Sequence, residues 1–332
     1  LKAPHPLENA VLEIRTAAAF ESLAIEIFKF QYNTNEVYRQ FCDHLGRPAS
    51  SVRKVSEIPY FPIELFKRHE VISGKLKDIP ELVFTSSGTT GDETSRHFVY
   101  RPELYEASFL KTFELFYGDV RKYRILALLP SYIERGGSSL VYMADRLIRE
   151  SRHRDSGFFL ENRDQLSEIL KKKTRAKTLL IGVSYALLDL LEDGPLSLKN
   201  TIVMETGGMK GRRKEITRAE LHDQLAAGFG VPYIHSEYGM TELLSQAYAR
   251  KDGLFETPPW MQIHIREAND PLSSAPTGRT GGVNIIDLAN LYSCSFIATS
   301  DLGRKHSSGK TEILGRFDYS DMRGCNLMVG FS

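Results

Sequence analysis

Residues 81–97 read "ELVFTSSGTTGDETSRH", in which the apolar Leu82, Val83 and Phe84 run directly into seven residues drawn only from Thr, Ser and Gly. "ELVF" has the composition of a short strand. Gly88 and Gly91 permit backbone shapes closed to other residues, while Thr85, Ser86, Ser87, Thr89 and Thr90 set hydroxyls beside exposed amides. Those are the parts of a phosphate-binding loop. The spacing is not that of a P-loop, because no lysine follows the second glycine, nor that of the dinucleotide-binding turn. A Ser/Thr-rich surface turn has the same composition, so the stretch alone leaves both readings open.

Working outward, the chain changes its grammar at about residue 80. Residues 1–79 form a helical lead-in, with Leu12, Ile14, Phe20, Leu23, Ile27 and Phe28 at helical spacing and breaks at Pro59 and Pro62. Over 80–229, apolar β-rich runs alternate with helical segments: "ELVF" before 102–116, "YRILALLP" before 137–149, "KTLLIGVS" before 184–192 and "NTIVMET" before 211–228. That alternation predicts an α/β core of parallel strands with crossover helices. From 230 to 332 short strands separated by Gly, Pro, Asn and Asp predict a smaller, mostly antiparallel subdomain.

The totals exclude several classes. A formal net charge of +1 over 332 residues argues against nucleic-acid binding through bulk electrostatics. The basic clusters "KKKTRAK" (171–177) and "KGRRKEITR" (210–218) read as solvated helix ends. No apolar run reaches the roughly eighteen residues of a transmembrane helix, and "LKAPHPLENA" is not a secretory leader. The three cysteines, Cys42, Cys294 and Cys325, lie far apart and form no CxxC, which fits a reducing cytoplasm.

Further motifs, in order, decide between the readings of the opening stretch. "TSSGTTG" resembles the phosphate loop of the adenylate-forming superfamily; "ETGGMKG" (205–211) resembles the segment flanking adenine in that superfamily. "YGMTE" (238–242) is similar to its Y-G-x-T-E motif, "TSDLGR" (299–304) to its T-G-D motif and "GRFDYSDMRGCN" (315–326) to its hinge segment. More narrowly, "LLPSYIERGGSSLVYM", "METGGMKGRRKEI", "HSEYGMTELLSQ" and "GCNLMV" resemble the acyl-protein synthetase (LuxE-like) family, over roughly residues 55–329. The helices before residue 55 are not explained by it.

The resemblance implies ATP and Mg²⁺ as cofactors and a fatty or other carboxylic acid as substrate. On it, Thr85, Ser86, Ser87, Gly88, Thr89, Thr90 and Gly91 would wrap the β and γ phosphates, Thr241 would contact the α-phosphate and Glu242 would hold Mg²⁺. Asp301 would accept from the ribose hydroxyls and Arg316 would add a cationic contact. Gly207 and Gly208 would let backbone approach adenine, against which Tyr238 would stack, and Gly239 of the same motif would belong to the nucleotide site. Where relatives carry a lysine after the loop, this chain has Arg96 and His97, the first a candidate phosphate partner and the second a candidate catalytic group. Tyr132, Gly136 and Gly137 are candidates for the acyl substrate's site.

The last sixteen residues after Arg316 leave no room for the superfamily's mobile C-terminal domain, so that domain is expected to be lacking or severely truncated. Cys325, near the end, is the candidate acyl acceptor by likeness to the LuxE-like family; burial in a core is the competing reading. The expected activity is formation of an acyl adenylate, then transfer to a thiol, with an acyl-reductase or acyl-carrier protein as a possible partner. A coenzyme A ligase and a non-catalytic nucleotide- or acyl-binding subunit remain alternatives.

Overall fold

The computed structural model describes residues 5–74, 79–86, 94–130, 137–192, 194–207, 216–268 and 270–316. The lead-in folds as α1 (Pro6–Val11), α2 (Ala17–Thr34) and α3 (Glu36–His44). Thr16 caps α2 by accepting from the amide of Ala19, and Asn35 caps α3 by accepting from that of Tyr38. The i, i+3, i+4 spacing of Phe20, Leu23, Ala24, Ile27 and Phe28 buries one face of α2. Gln31 continues that buried face, although it is polar. A two-residue strand, β1 (Phe61–Pro62), follows.

The opening stretch is not part of the parallel sheet that its sequence pattern predicts. β2 (Leu82–Thr85) pairs antiparallel with β3 (Arg96–Val99) in a separate hairpin, with Thr85 opposite Arg96. The reason is local: β3 pairs antiparallel with β2 before the chain enters α4 (Pro102–Tyr117), whereas a parallel partner would have to follow a crossover such as that helix.

The remaining strands build one sheet. β4 (Tyr123–Leu128), α5 (Ser139–Ser151), β5 (Gly157–Phe158), α6 (Arg163–Lys171), β6 (Lys177–Val183), α7 (Ser184–Asp189), β7 (Thr201–Thr206), α8 (Arg218–Phe229) and β8 (Ile234–Tyr238) follow one another as strand–helix units. β5, β4, β6, β7 and β8 lie side by side in parallel. Every residue of β4 is buried, as a strand covered on both faces requires. β8 departs from the antiparallel pattern predicted after residue 230, because α8 carries the chain across the sheet and returns it parallel to β7.

The sheet then changes sense. β9 (Ala247–Ala249) runs antiparallel to β8 and is followed by β10 (Leu254–Glu256), β11 (Met261–Arg266), β12 (Thr280–Asp287), β13 (Phe296–Lys305) and β14 (Thr311–Arg316). The order is β11-β12-β13-β14-β10-β9-β8-β7-β6-β4-β5, with β1 beside β13. One continuous core underlies it, from Phe28 and Tyr38 of the helical lead-in through Leu126 and Leu180 to Trp260 and Ile285. Among the described residues no helix is long and apolar enough to cross a membrane.

Candidate active site

Ligands of open α/β sheets bind beyond the carboxyl ends of the parallel strands, and the candidate residues gather there at β7 and β8. Tyr238 is the last residue of β8, and its hydroxyl donates to Asp301 Oδ2 at 2.6 Å. Asp301 lies on β13 opposite Arg316 of β14, whose Nε is 3.8 Å from Asp301 Oδ1. Burial pushes the Asp301 carboxyl above its ordinary value, while donation from Tyr238 and the nearby Arg316 charge act the other way. A polar ligand with hydroxyls would find an acceptor here already held in place by Tyr238.

Beyond Tyr238, a Cβ added to Gly239 would stand 2.6 Å from Glu237 Oε1, so a side chain there would have to displace the Glu237 carboxyl. Glu242 follows, nearly fully buried, and Ser95 Oγ donates to its Oε1. Burial pushes the Glu242 carboxyl above its ordinary value. Ser95 also closes the neck of the 87–93 loop: its amide donates to Ser86 Oγ at 3.0 Å and its carbonyl accepts from the Ser86 amide at 3.2 Å. A second loop meets that neck at Gly137, whose carbonyl accepts from the Thr85 amide at 2.7 Å. Gly137 has φ +86°, and a Cβ there would lie 3.0 Å from Thr85 Oγ1. Thr85, Ser86, Gly137 and Glu242 are thus brought together from three parts of the sequence, through Ser95.

Gly207 follows β7 with φ +66°, and its carbonyl accepts from Ser184 Oγ at 2.8 Å. Ser87, Gly88, Thr89, Thr90, Gly91, Tyr132, Gly136, Gly208 and Cys325 lie outside the described residues. Arg96 is exposed at the hairpin, its guanidinium 5.6 Å from the centre of the Phe98 ring.

His97 is placed differently from the catalytic role expected of it. It is buried, with Nδ1 2.8 Å from the carbonyl oxygen of Thr241 and Nε2 2.9 Å from Asn290 Oδ1. Both partners are acceptors, because the Asn290 amide nitrogen donates to the carbonyls of Glu242 and Cys294. A singly protonated ring serves one of them and a doubly protonated ring both. Burial disfavours the charged ring and pushes the imidazole down to about 4. With both nitrogens facing the protein, His97 supports the Thr241–Glu242 segment and is not free to exchange protons with a substrate.

Several polar residues at the site escaped the reading of the sequence. Ser95 is one; Glu237, Asn290 and Asp287 are others. Glu237 accepts from Thr206 Oγ1 at 2.5 Å across the β7–β8 pair, and burial pushes its carboxyl up to about 7. "DLAN" (287–290), a Gly/Asn/Asp-type break after a strand, was the available signal for the last two.

The residues present fit a hard cation shared with phosphates. Among the described residues no group of three or more His, Cys, Asp or Glu is gathered as a protein cage, and the donor on offer is the buried carboxylate of Glu242. A magnesium ion bound through one carboxylate, with phosphate oxygens and waters as its other ligands, suits that donor set. A cavity of about 1020 Å³ between α2, α3 and β11–β12 contains none of these residues.

No family model matches the chain. It is 24% identical over 328 residues to the long-chain-fatty-acid–luciferin-component ligase of Vibrio harveyi, covering 91% of this chain and 85% of that protein. The enzyme of the same name from Aliivibrio fischeri is 23% identical over 337 residues, covering 93% and 87%. Among solved structures, a 2-hydroxyisobutyryl-CoA ligase in complex with 2-HIB-AMP, in the postadenylation state, superposes with a TM-score of 0.68 at 12% identity, covering 96% of this chain and 72% of that one. ATP-bound MatB from Rhodopseudomonas palustris superposes with a TM-score of 0.54 at 20% identity over 72% of this chain, which spans about half (49%) of the MatB chain. The protein therefore has the fold of the adenylate-forming ligases and is similar, along nine-tenths of its length, to the long-chain-fatty-acid–luciferin-component ligases.

Proposed function

We propose that the protein activates a carboxylic acid, a fatty acid by its likeness to the two bacterial ligases, by forming an acyl adenylate from ATP. The observation that supports this most is the Ser95 bridge, which joins Glu242 to the neck of the Ser/Thr/Gly loop. A carboxylate is a poor acyl donor because oxide would have to leave. Attack of a carboxylate oxygen on the α-phosphorus forms a new P–O bond and breaks the bond to pyrophosphate, leaving AMP as the group to be displaced. The protein's task is to position the reactants and offset charge.

In this reading the 85–91 loop holds the outer phosphates, Tyr238 lies against the base and Asp301 accepts from ribose. Glu242 is the residue that would hold Mg²⁺, which when bound neutralises phosphate charge. Arg96, exposed on the hairpin, is a phosphate partner, and Arg316, beside Asp301, adds a cationic contact at the ribose end. In the second step a thiolate, that of Cys325, attacks the acyl carbon. A C–S bond forms, the C–O bond to AMP breaks, and the thiol proton passes to solvent. The thioester is then available to an acyl-reductase or acyl-carrier partner.

Intact mass after incubation with MgATP and mixed fatty acids tests this. A mass increase equal to one acyl group, removed by hydroxylamine and missing in Cys325→Ser, is expected. Acyl-CoA formation that survives Cys325→Ser would move the acceptor to coenzyme A, and ATP binding with no pyrophosphate from any acid would leave a binding subunit.

A further inference from the structure

The helices before residue 55 have no part in the motif set, yet α2 reaches the site through a chain of buried hydrogen bonds. We propose that the turn between β12 and β13, anchored by Gln31 of α2, is a clamp that positions the Thr241–Ser245 segment and with it the Glu242 carboxylate. The proposal rests on the reading of Glu242 as the cation-holding residue.

The clamp grips successive points on the segment. Asp287 Oδ2 accepts from the Leu244 amide at 2.8 Å and Oδ1 from Ser245 Oγ at 2.6 Å. Asn290 Nδ2 donates to the Glu242 carbonyl at 2.7 Å, and His97, whose Nε2 is 2.9 Å from Asn290 Oδ1, faces the Thr241 carbonyl with Nδ1 at 2.8 Å. The turn is itself fastened to α2. Gln31 Nε2 donates to the carbonyls of Asn290 and Leu291 and to Ser295 Oγ, each at 3.0 Å, while its Oε1 accepts from the Ser295 amide at 3.0 Å. Asn35 Nδ2 donates to the Ser293 carbonyl at 3.2 Å, and Ser73 Oγ donates to the same oxygen.

Gln31 and Asn290 are both fully buried. A residue needed only to fill the apolar face of α2 would be leucine or isoleucine, since burying an amide is unfavourable unless its hydrogen bonds are made. Gln31 instead commits both ends of its amide to the backbone and hydroxyl of one turn. That turn's next contacts are the carbonyl of Glu242 and the amide of Leu244, so a shift of the turn is passed to the carboxylate. A displacement of about an ångström is enough to depress turnover severely. Gln31 and Asn290 are positioning residues, acting through Glu242.

Gln31→Met keeps the length of the side chain and removes its hydrogen bonds; Asn290→Ala removes the next link. Leu23→Ala thins the same buried face of α2 while leaving the hydrogen bonds of Gln31 to the turn in place, and serves as the control for plain destabilisation. All are compared below the onset of unfolding. For Gln31→Met and Asn290→Ala, hydrogen–deuterium exchange in peptide 240–246 is expected to quicken by about tenfold, with peptide 123–128 unchanged. The Mg²⁺ concentration for half-maximal pyrophosphate release is expected to rise by about tenfold, with the KM for ATP at saturating Mg²⁺ changed by less than about twofold. Leu23→Ala is expected to alter neither. Exchange in 240–246 that stays at the unaltered rate in Gln31→Met overturns the clamp, as does an equal quickening in Leu23→Ala. If the unaltered protein releases no pyrophosphate with any acid, the reading of Glu242 fails, and the exchange measurements alone decide the clamp.

Discussion

At the scale of single residues, the site depends on a few carboxylates held out of water by specific partners. Glu242→Gln keeps the shape of the side chain and can still accept from Ser95, but it loses the charge a cation requires; pyrophosphate release should fall by about 100-fold or more, within the range of a charge-assisted interaction. Asp301→Asn should act mainly on nucleotide binding, raising the KM for ATP about tenfold in steady-state assays. Glu237 gives a stability prediction with a definite sign. Its carboxyl is raised by burial from 4.5 to about 7, so between those values the folded protein holds a proton that the unfolded chain releases. Stability is therefore lost as pH rises through this window, with a limiting slope of about 1.4 kcal/mol for each step of one in pH. Glu237→Gln removes the effect: its thermal midpoint should gain on that of the unaltered protein from pH 5 to pH 8, and a constant difference would show that Glu237 does not titrate there.

At the scale of elements, loops that meet away from their own strands make the site. Gly137 itself meets Thr85, in a backbone conformation that side chains rarely adopt and with a Cβ position crowded by Thr85 Oγ1. Gly137→Ala should cost about 1–2 kcal/mol in denaturant unfolding and weaken ATP binding at the same time. What could be read in advance follows the range of the interactions. The apolar runs of β4, β6 and β7 and the helical spacing of α2 are local patterns, and each forms the element its spacing predicts. The hairpin of β2 and β3 is not legible in this way, because "ELVF" looks the same whether its neighbour is parallel or antiparallel. The contacts of Ser95 with Glu242 and of Asn290 with His97 are hidden for a different reason: they span 147 and 193 residues of sequence, and no periodicity reports a contact of that kind. Tyr238 and Asp301 could be named from their motifs, but the hydrogen bond between them belongs to the tertiary structure.

At the scale of the whole molecule, one sheet changes from parallel to antiparallel at β8–β9, and the candidate residues collect beside that change. The parallel half brings Gly207 and Tyr238 to its carboxyl edge, the antiparallel half brings Asp301 and Arg316, and the hairpin and lead-in helices steady Glu242 from outside the sheet. A ligand bridging these parts should bind the folded chain alone and raise its thermal midpoint; 100-fold excess over the dissociation constant corresponds to about 2.7 kcal/mol of added stability. That binding would be shared by an enzyme and by a subunit without turnover, so chemistry must decide. The direct measurement is release of pyrophosphate by the unaltered protein with MgATP and a panel of fatty and shorter carboxylic acids, beside Glu242→Gln. Acid-dependent release that Glu242→Gln reduces by about two orders of magnitude is the predicted result. MgATP bound with no release from any acid, or release that Glu242→Gln leaves untouched, would contradict it.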